Sequence, residues 1–319
     1  MEVYFIKKKS IKILITISLL LIILICTGGF LLAFIPSHMS EKHTNKIVNL
    51  YFDDVGYSRS EFISTWEAKM NNFELISNSD YVIPVTYICP KENLNNKTMI
   101  LVHWHESNHE AMYPLAEVFL EKGWNVVLYD QRAHGKNSAK TVTFGYLESL
   151  DLQVVIEDVY KKSNDAVVGA LGQSMGAATI AFYSGTEHAN KYLDFAIIDS
   201  AYSSMDSEIN WEIESVKLPL ISDVFTSLGS TFCKLLYGYD FYDVNIKNQI
   251  QHNEIPTLIM HSKKDNKCPY YMGEELFNTI PHSKKEFITF RNSEHLFAFW
   301  DEKERYVDSV FSFIDKYVK

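Results

Sequence analysis

Apolar and polar positions follow three different rhythms along this chain. The first is a continuous run: from Ile13 to Ile35 no residue carries a charge. A helix of about 23 residues rises ~34 Å, enough to cross a hydrocarbon core of ~30 Å. Lys7, Lys8, Lys9 and Lys12 precede the run. By the positive-inside tendency that end stays in the cytoplasm and the bulk of the chain lies outside. A cleaved signal peptide would have a shorter run and a small-x-small site, but Pro36-Ser37-His38-Met39 follows here. A lipoprotein signal at Cys26 would need small residues where Leu24 and Ile25 stand, and flanking lysines argue against a buried core helix. The pattern therefore predicts one uncleaved membrane anchor over residues 1–36, followed by a polar linker over 37–57.

The second rhythm is short. Phe62, Trp66 and Met70 recur at i, i+4, i+8 and predict a helix within 58–71. FELIS (73–77) and YVIPVTYIC (81–89), separated by Asn78-Ser79-Asp80, read as an antiparallel pair, with Pro84 placing the second strand at an edge. The third rhythm fills the rest, where brief apolar runs alternate with amphipathic segments. MILVH (99–103), WNVVLYD (124–130), AVVGALG (166–172), FAIID (195–199), PTLIMH (256–261) and EFITF (286–290) read as strands. Segments 111–123, 148–163, about 175–184, 270–280 and 297–317 read as helices, the first stopped by Gly123. Strands joined by helical crossovers predict an α/β domain over 58–319, its mostly parallel sheet covered on both faces. Between Ala201 and Glu254 no strand is apparent, and helices are predicted around Trp211 and from Phe225 to Tyr237. This insertion, about 203–254, reads as a helical lid.

Composition narrows the function classes. With 47% hydrophobic and 14% aromatic residues the chain is not disordered, and a net charge of −10 makes a nucleic-acid partner unexpected. Four cysteines in 319 residues make no disulfide scaffold. Cys26 lies in the apolar run, and Cys89, Cys233 and Cys268 are either three thiols or one pair and a thiol.

The chemistry begins at Gly172-Gln173-Ser174-Met175-Gly176, which fits G-x-S-x-G between a strand and a helix. A nucleophile in that sharp turn needs neighbours without bulk two residues away, and Gly172 and Gly176 supply them. The N–H of Met175, at the helix start, points toward a developing oxyanion. The bland alternative is a serine capping the next helix. A serine hydroxyl needs a base, and the base an orienting carboxylate. In the chain order Ser, acid, His, the candidates are Asp265 in HSKKDNKCP and His295 in NSEHLF, each on a loop after a strand. Asp199 is the rival acid, and Glu294 adjoins His295 but points elsewhere.

The motifs LVHWHESN (101–108), YDQRAHGKN (129–137), GYLESLDL (145–152), GQSMGAAT (172–179), PTLIMHSKKDNKCP (256–269) and SEHLF (293–297) together resemble the α/β-hydrolase superfamily. The resemblance covers about residues 73–319 and is nearest to membrane-anchored bacterial serine hydrolases of the serine aminopeptidase-like group. It implies an α/β-hydrolase fold with an eight-stranded, mostly parallel sheet and a Ser174–Asp265–His295 triad. It also implies a second oxyanion donor, the N–H of His105. Two positions depart from the family pattern: Trp104 and Ser262 stand where glycine is usual after a strand-end histidine. The resemblance makes Arg132-Ala133-His134-Gly135 a structural turn rather than a catalytic one.

Two rivals come from other classes. His103, His105 and His109 sit close enough in sequence to suggest a metal-dependent hydrolase, although Ser107 and Asn108 break the zinc pattern. The fold could also serve as a silent binding module, which a complete triad argues against. Trp211, Phe225, Phe232, Tyr237 and Tyr239 either line an acyl pocket or form the lid's own core. The expectation is a single-pass, cell-membrane serine hydrolase with its catalytic domain outside the cell. It acts on a small-molecule or lipid-like acyl substrate, as a carboxylesterase or else a thioesterase, peptidase or acyltransferase, and needs no cofactor or metal.

Overall fold

Eight short stretches pair into one sheet: the interior ones are apolar and largely buried on both faces, the edge strands are half-buried, and the backbone groups of all must find partners. The computed structural model describes residues 2–90, 97–163, 167–217 and 221–318. The strands are β1 (Met70–Ile76), β2 (Val82–Ile88), β3 (Lys97–Val102), β4 (Asn125–Tyr129), β5 (Val167–Gln173), β6 (Phe195–Asp199), β7 (Thr257–Ser262) and β8 (Lys285–Phe290). Their order is β1-β2-β4-β3-β5-β6-β7-β8, antiparallel from β1 through β4 and parallel from there on. Side chains alternate across the sheet: Ile100 and Val102 face one core, Met99 and Leu101 the other.

The helices are α1 (Glu2–Phe34), α2 (Glu41–Val55), α3 (Arg59–Trp66), α4 (Tyr113–Glu121), α5 (Glu148–Ser163), α6 (Met175–Ser184), α7 (Glu187–Tyr192), α8 (Met205–Ser215), α9 (Ser222–Tyr237), α10 (Ile246–Ile250), α11 (Tyr270–Thr279), α12 (Ala298–Asp301) and α13 (Lys303–Tyr317). Helices α3, α4 and α13 cover the Met99 face, while α5, α6 and α11 cover the other. Helices α8, α9 and α10 form a helical insertion between β6 and β7. Over Lys12–Phe34, α1 is long and apolar enough to cross a membrane.

Four local expectations change. The segment expected as a linker contains α2, capped by Ser40 at its start and by Gly56 at its end. Its two buried apolar residues Val48 and Phe52, at i, i+4, are enough to dock it on Ala111 and Trp104. Met70 belongs to β1, opposite Ile88, so the helix predicted through it ends at Trp66. The last helix is broken at Glu302 into α12 and α13. Pro84 lies on an interior strand, between β1 and β4. It is tolerated there because β4 pairs only from Val85 onward, and the Asp130 carbonyl beside Pro84 accepts from Asn137 Nδ2 at 2.9 Å instead.

One buried acid makes stability depend on pH. Asp151 on α5 accepts from the Tyr81 hydroxyl, which also accepts from Arg132 at 2.6 Å. Burial first, then the Glu148 carboxylate, pushes the Asp151 carboxyl up to about 7, against the Tyr81 bond and the Arg132 charge. The folded state thus binds this proton more tightly than the unfolded chain. The cost of ionising Asp151 is absent below about pH 4, grows between pH 4 and 7, and is complete above 7. Asp151→Asn is expected to raise the melting temperature by roughly 2–4 °C at pH 8 and by nearly nothing at pH 4. A gain equal at both pH values in a scanning-calorimetry series contradicts this assignment.

Candidate active site

The parallel strands deliver their following loops to one edge of the sheet, where the predicted residues meet. Ser174 follows β5 directly and has φ 53° and ψ −118°, a strained left-handed position for a residue with a Cβ. Its neighbours make the turn possible. A Cβ on Gly172 would lie 2.4 Å from the Gly176 carbonyl, and one on Gly176 would lie 2.2 Å from the Val102 oxygen. These contacts bring α6 against the end of β3, so the loop after β3 faces the start of α6.

Asp265, in the loop after β7, and His295, in the loop after β8, converge on Ser174. His295 Nδ1 lies 2.7 Å from Asp265 Oδ2, and its Nε2 lies 2.9 Å from Ser174 Oγ. The second oxygen of Asp265 accepts the N–H groups of Lys267 at 3.0 Å and Cys268 at 2.9 Å. With the carboxylate accepting from Nδ1–H, Nε2 is left to accept the serine proton. The rival Asp199 is occupied elsewhere: it accepts from Gln173 Nε2 (3.0 Å), the Tyr306 hydroxyl (2.9 Å) and Ser200 Oγ (3.1 Å). Burial raises its carboxyl above the ordinary range.

Met175 and His105, the expected oxyanion donors, both line the cavity of about 310 Å³ that opens at Ser174 and His295. Met175 is the first residue of α6, where N–H groups have no intrahelical acceptor. The loop carrying His105 is clamped from below. Gln131 N–H donates to His103 Nε2 at 3.0 Å, Gln131 Nε2 donates to the His103 carbonyl, and Thr179 of α6 donates to Gln131 Oε1 at 3.0 Å. Trp104, in the place usual for glycine, fits because the left-handed residue in this loop is Glu106, with φ 65°. The Trp104 ring instead packs against Tyr51 of α2 at 4.8 Å.

The histidines of this loop do not assemble as metal ligands. His103 accepts at Nε2 and donates from Nδ1 to the Trp104 carbonyl at 2.8 Å. His105 Nε2 donates to the Pro36 carbonyl at 2.9 Å. His109 faces Asp130 at 2.7 Å. Burial pushes His103 down to about 4 and lowers His105 and His134 as well. Burial also opposes charge on His109, but the Asp130 carboxylate outweighs it and raises that histidine. His134 accepts the Glu106 N–H at 3.0 Å and holds the loop. Among the described residues no group of three or more His, Cys, Asp or Glu side chains is placed to hold a metal.

Sequence reasoning missed several cavity residues. Cys268, beside Asp265, and Glu208 of α8 approach each other at 3.7 Å, and the Cys268 thiol also comes within hydrogen-bonding reach of Ser174. Burial, then Glu212 and Asp265, pushes the Glu208 carboxyl well above its ordinary range. Its Oε2 is enclosed and unpartnered among the described residues. Phe144 and Tyr202 add an apolar wall, tied by the Tyr202 hydroxyl on the Phe144 carbonyl at 2.8 Å. Pro36, immediately after α1, also lines the cavity. Nothing in the local pattern around Glu208 or Pro36 marks either one, because both arrive from elements remote from the motifs.

Comparison with known proteins agrees with this architecture. A family profile described as "Serine aminopeptidase, S33" matches residues 95–237. The uncharacterized protein YqkD of Bacillus subtilis (strain 168) is 30% identical over 254 residues, which is 76% of this chain and 81% of that protein. The AB hydrolase superfamily protein YisY of the same organism is 24% identical over 246 residues, 66% of this chain and 89% of that protein. Among solved structures, an esterase of Pyrococcus furiosus has a TM-score of 0.63 at 20% identity, covering 84% of this chain and 94% of that one.

Proposed function

The chain belongs to the α/β-hydrolase superfamily, and from that membership we propose that it is a serine hydrolase cleaving an ester-type acyl bond. The observation that carries the proposal is the chain of hydrogen bonds from Ser174 through His295 to Asp265, built on a strained serine. Ser174 attacks the acyl carbonyl while His295 takes its proton, and Asp265 holds the imidazole with Nδ1–H toward itself. The N–H groups of Met175 and His105 stabilise the tetrahedral oxyanion. His295 then returns the proton to the leaving group, and water releases the acyl-enzyme by the same steps.

Carboxylesterase is the leading activity. The mostly apolar cavity suits an acyl group, and Glu208, whose carboxyl burial raises above its ordinary range, stands at its wall. The insertion of α8 to α10 acts as the lid. With α1 as an uncleaved anchor and its lysines inside, the catalytic domain stands on the outer face of the cell membrane. A fluorophosphonate probe on the full chain in detergent is expected to label the protein at the Ser174 peptide, as read by mass spectrometry. A folded chain that takes no label overturns the proposal. Hydrolysis rates on matched ester, thioester and amide substrates then rank the acyl bonds, with the ester expected fastest.

A further inference from the structure

The N-terminal helix does more than precede the catalytic domain: its last turns are built into it. Residues 12–24 of α1 are exposed along their length, whereas Gly29, Ala33 and Ser37 are buried. Burial there comes from α9. A Cβ on Gly28 would lie 2.3 Å from the Phe225 ring, and one on Gly29 would lie 2.6 Å from Leu228 Cβ, so only glycine permits this approach. Phe30 meets Phe232 edge-on at 5.8 Å, and His38 meets Tyr237 at 5.6 Å. Contacts that advance together along both helices make α9 run parallel to α1. The start of α9 lies deepest, beside Gly28. If Lys12–Phe34 crosses the bilayer, α9 accompanies roughly the last 10 Å of the crossing.

Between α1, α8 and α9 lies a groove of about 450 Å³, within the range of small-ligand sites. One wall is Leu31 of α1 with Ile35 just after it, another is Ile213 of α8 with Val216 at its C-cap, and Phe225 of α9 lies at the base. Among the described residues no polar or charged side chain lines it. Glu214, Lys217 and Asp223, the charges at this end of the insertion, are exposed and outside the lining. Leu31, Ile35 and Val216 are 43%, 61% and 65% exposed, on the same level as the last turns of the membrane helix.

The groove and the Ser174 cavity share Pro36 as a wall. They also share one face of α8. Met205 and Ile209 line the cavity, and Ile213 and Val216 line the groove, at the spacing of a single helical stripe. An apolar stripe of α8 therefore runs from bilayer depth to the cavity of the nucleophile, where Glu208 and Glu212 flank it. We infer that the groove between α1 and the lid receives the acyl chain of a single-chain lipid ester drawn sideways from the membrane, placing its carbonyl at Ser174. This rests on the serine hydrolase reading and names its substrate class. A partner helix would fill the groove equally well but would have no use for its continuity with the serine cavity.

The test uses the full chain in vesicles of a diether phosphatidylcholine, which carries no ester. Two substrates are compared, 1-monooleoylglycerol in the vesicles and p-nitrophenyl acetate in the buffer. Ile213→Trp and Val216→Trp fill the groove, and the second sits where exposure spares folding. The parent is expected to hydrolyse both substrates, and each variant to lower the ratio of long-chain to acetate kcat/KM at least tenfold. An unchanged ratio in Val216→Trp overturns the inference and leaves the hydrolase reading standing. So does a parent that turns over acetate but not monooleoylglycerol. A parent inert toward both and unlabelled by fluorophosphonate overturns the hydrolase reading, and this inference with it.

Discussion

Ser174→Ala is expected to lower kcat/KM on a short-chain ester by about 10⁴–10⁶-fold and to abolish fluorophosphonate labelling. The size follows from what the hydroxyl is proposed to do. In the acyl-transfer reading it forms the covalent bond, and among the described residues it is the hydroxyl hydrogen-bonded to His295 Nε2. The residual rate is what the oxyanion donors and binding alone would give. Stability should move little, because alanine keeps the Cβ at the strained φ of 53° and loses only the bond to His295, worth about 1 kcal/mol, and a weaker contact with the Cys268 thiol. A melting temperature within a few degrees of the parent therefore has to accompany the loss. If the variant retains activity within tenfold of the parent, Ser174 is not the nucleophile. Its strained turn would then need another explanation, such as a binding module on the same fold.

Much of this candidate site was legible in the chain because its residues sit at the ends of strands, and strands announce themselves. Each core strand is an apolar run bounded by turn residues, so the positions after β5, β7 and β8 could be found, and with them Ser174, Asp265 and His295. The same logic failed where few residues carry the packing. Helix α2 read as a linker because Val48 and Phe52 are nearly its only buried side chains, and its docking depends on Trp104 and Ala111 from elsewhere. Pro84 suggested an edge because a proline cannot donate, but it does not reveal that Asn137 supplies the missing bond from the far side of a turn. Glu208, Cys268 and Pro36 meet at the cavity only through tertiary contacts among the insertion, the β7 loop and the end of α1. The close approach of α1 and α9 is likewise invisible locally, since a glycine pair in an apolar helix has no partner until Phe225 and Leu228 arrive.

The orienting acid can be identified by a substitution that changes one proton. In the parent, Asp265 Oδ1 is held by the N–H groups of Lys267 and Cys268, which leaves Oδ2 for His295 Nδ1–H. In Asp265→Asn the two backbone donors keep the amide oxygen, so the amide NH₂ must face His295. That NH₂ donates to Nδ1 and fixes the imidazole proton on Nε2, opposite Ser174, where it cannot accept the hydroxyl proton. The expected fall in kcat is about 10⁴-fold with the fold retained. Asp199→Asn is the control. Asp199 accepts from Gln173, Tyr306 and Ser200, all donors, and an amide there turns an NH₂ toward at least one of them. Its cost falls on stability, of the order of 1–3 kcal/mol, with kcat within tenfold of the parent. Kinetics and melting temperatures of the two variants at pH 8 decide the assignment. An active Asp265→Asn beside an inactive, well-folded Asp199→Asn would move the acid from the loop after β7 to the end of β6.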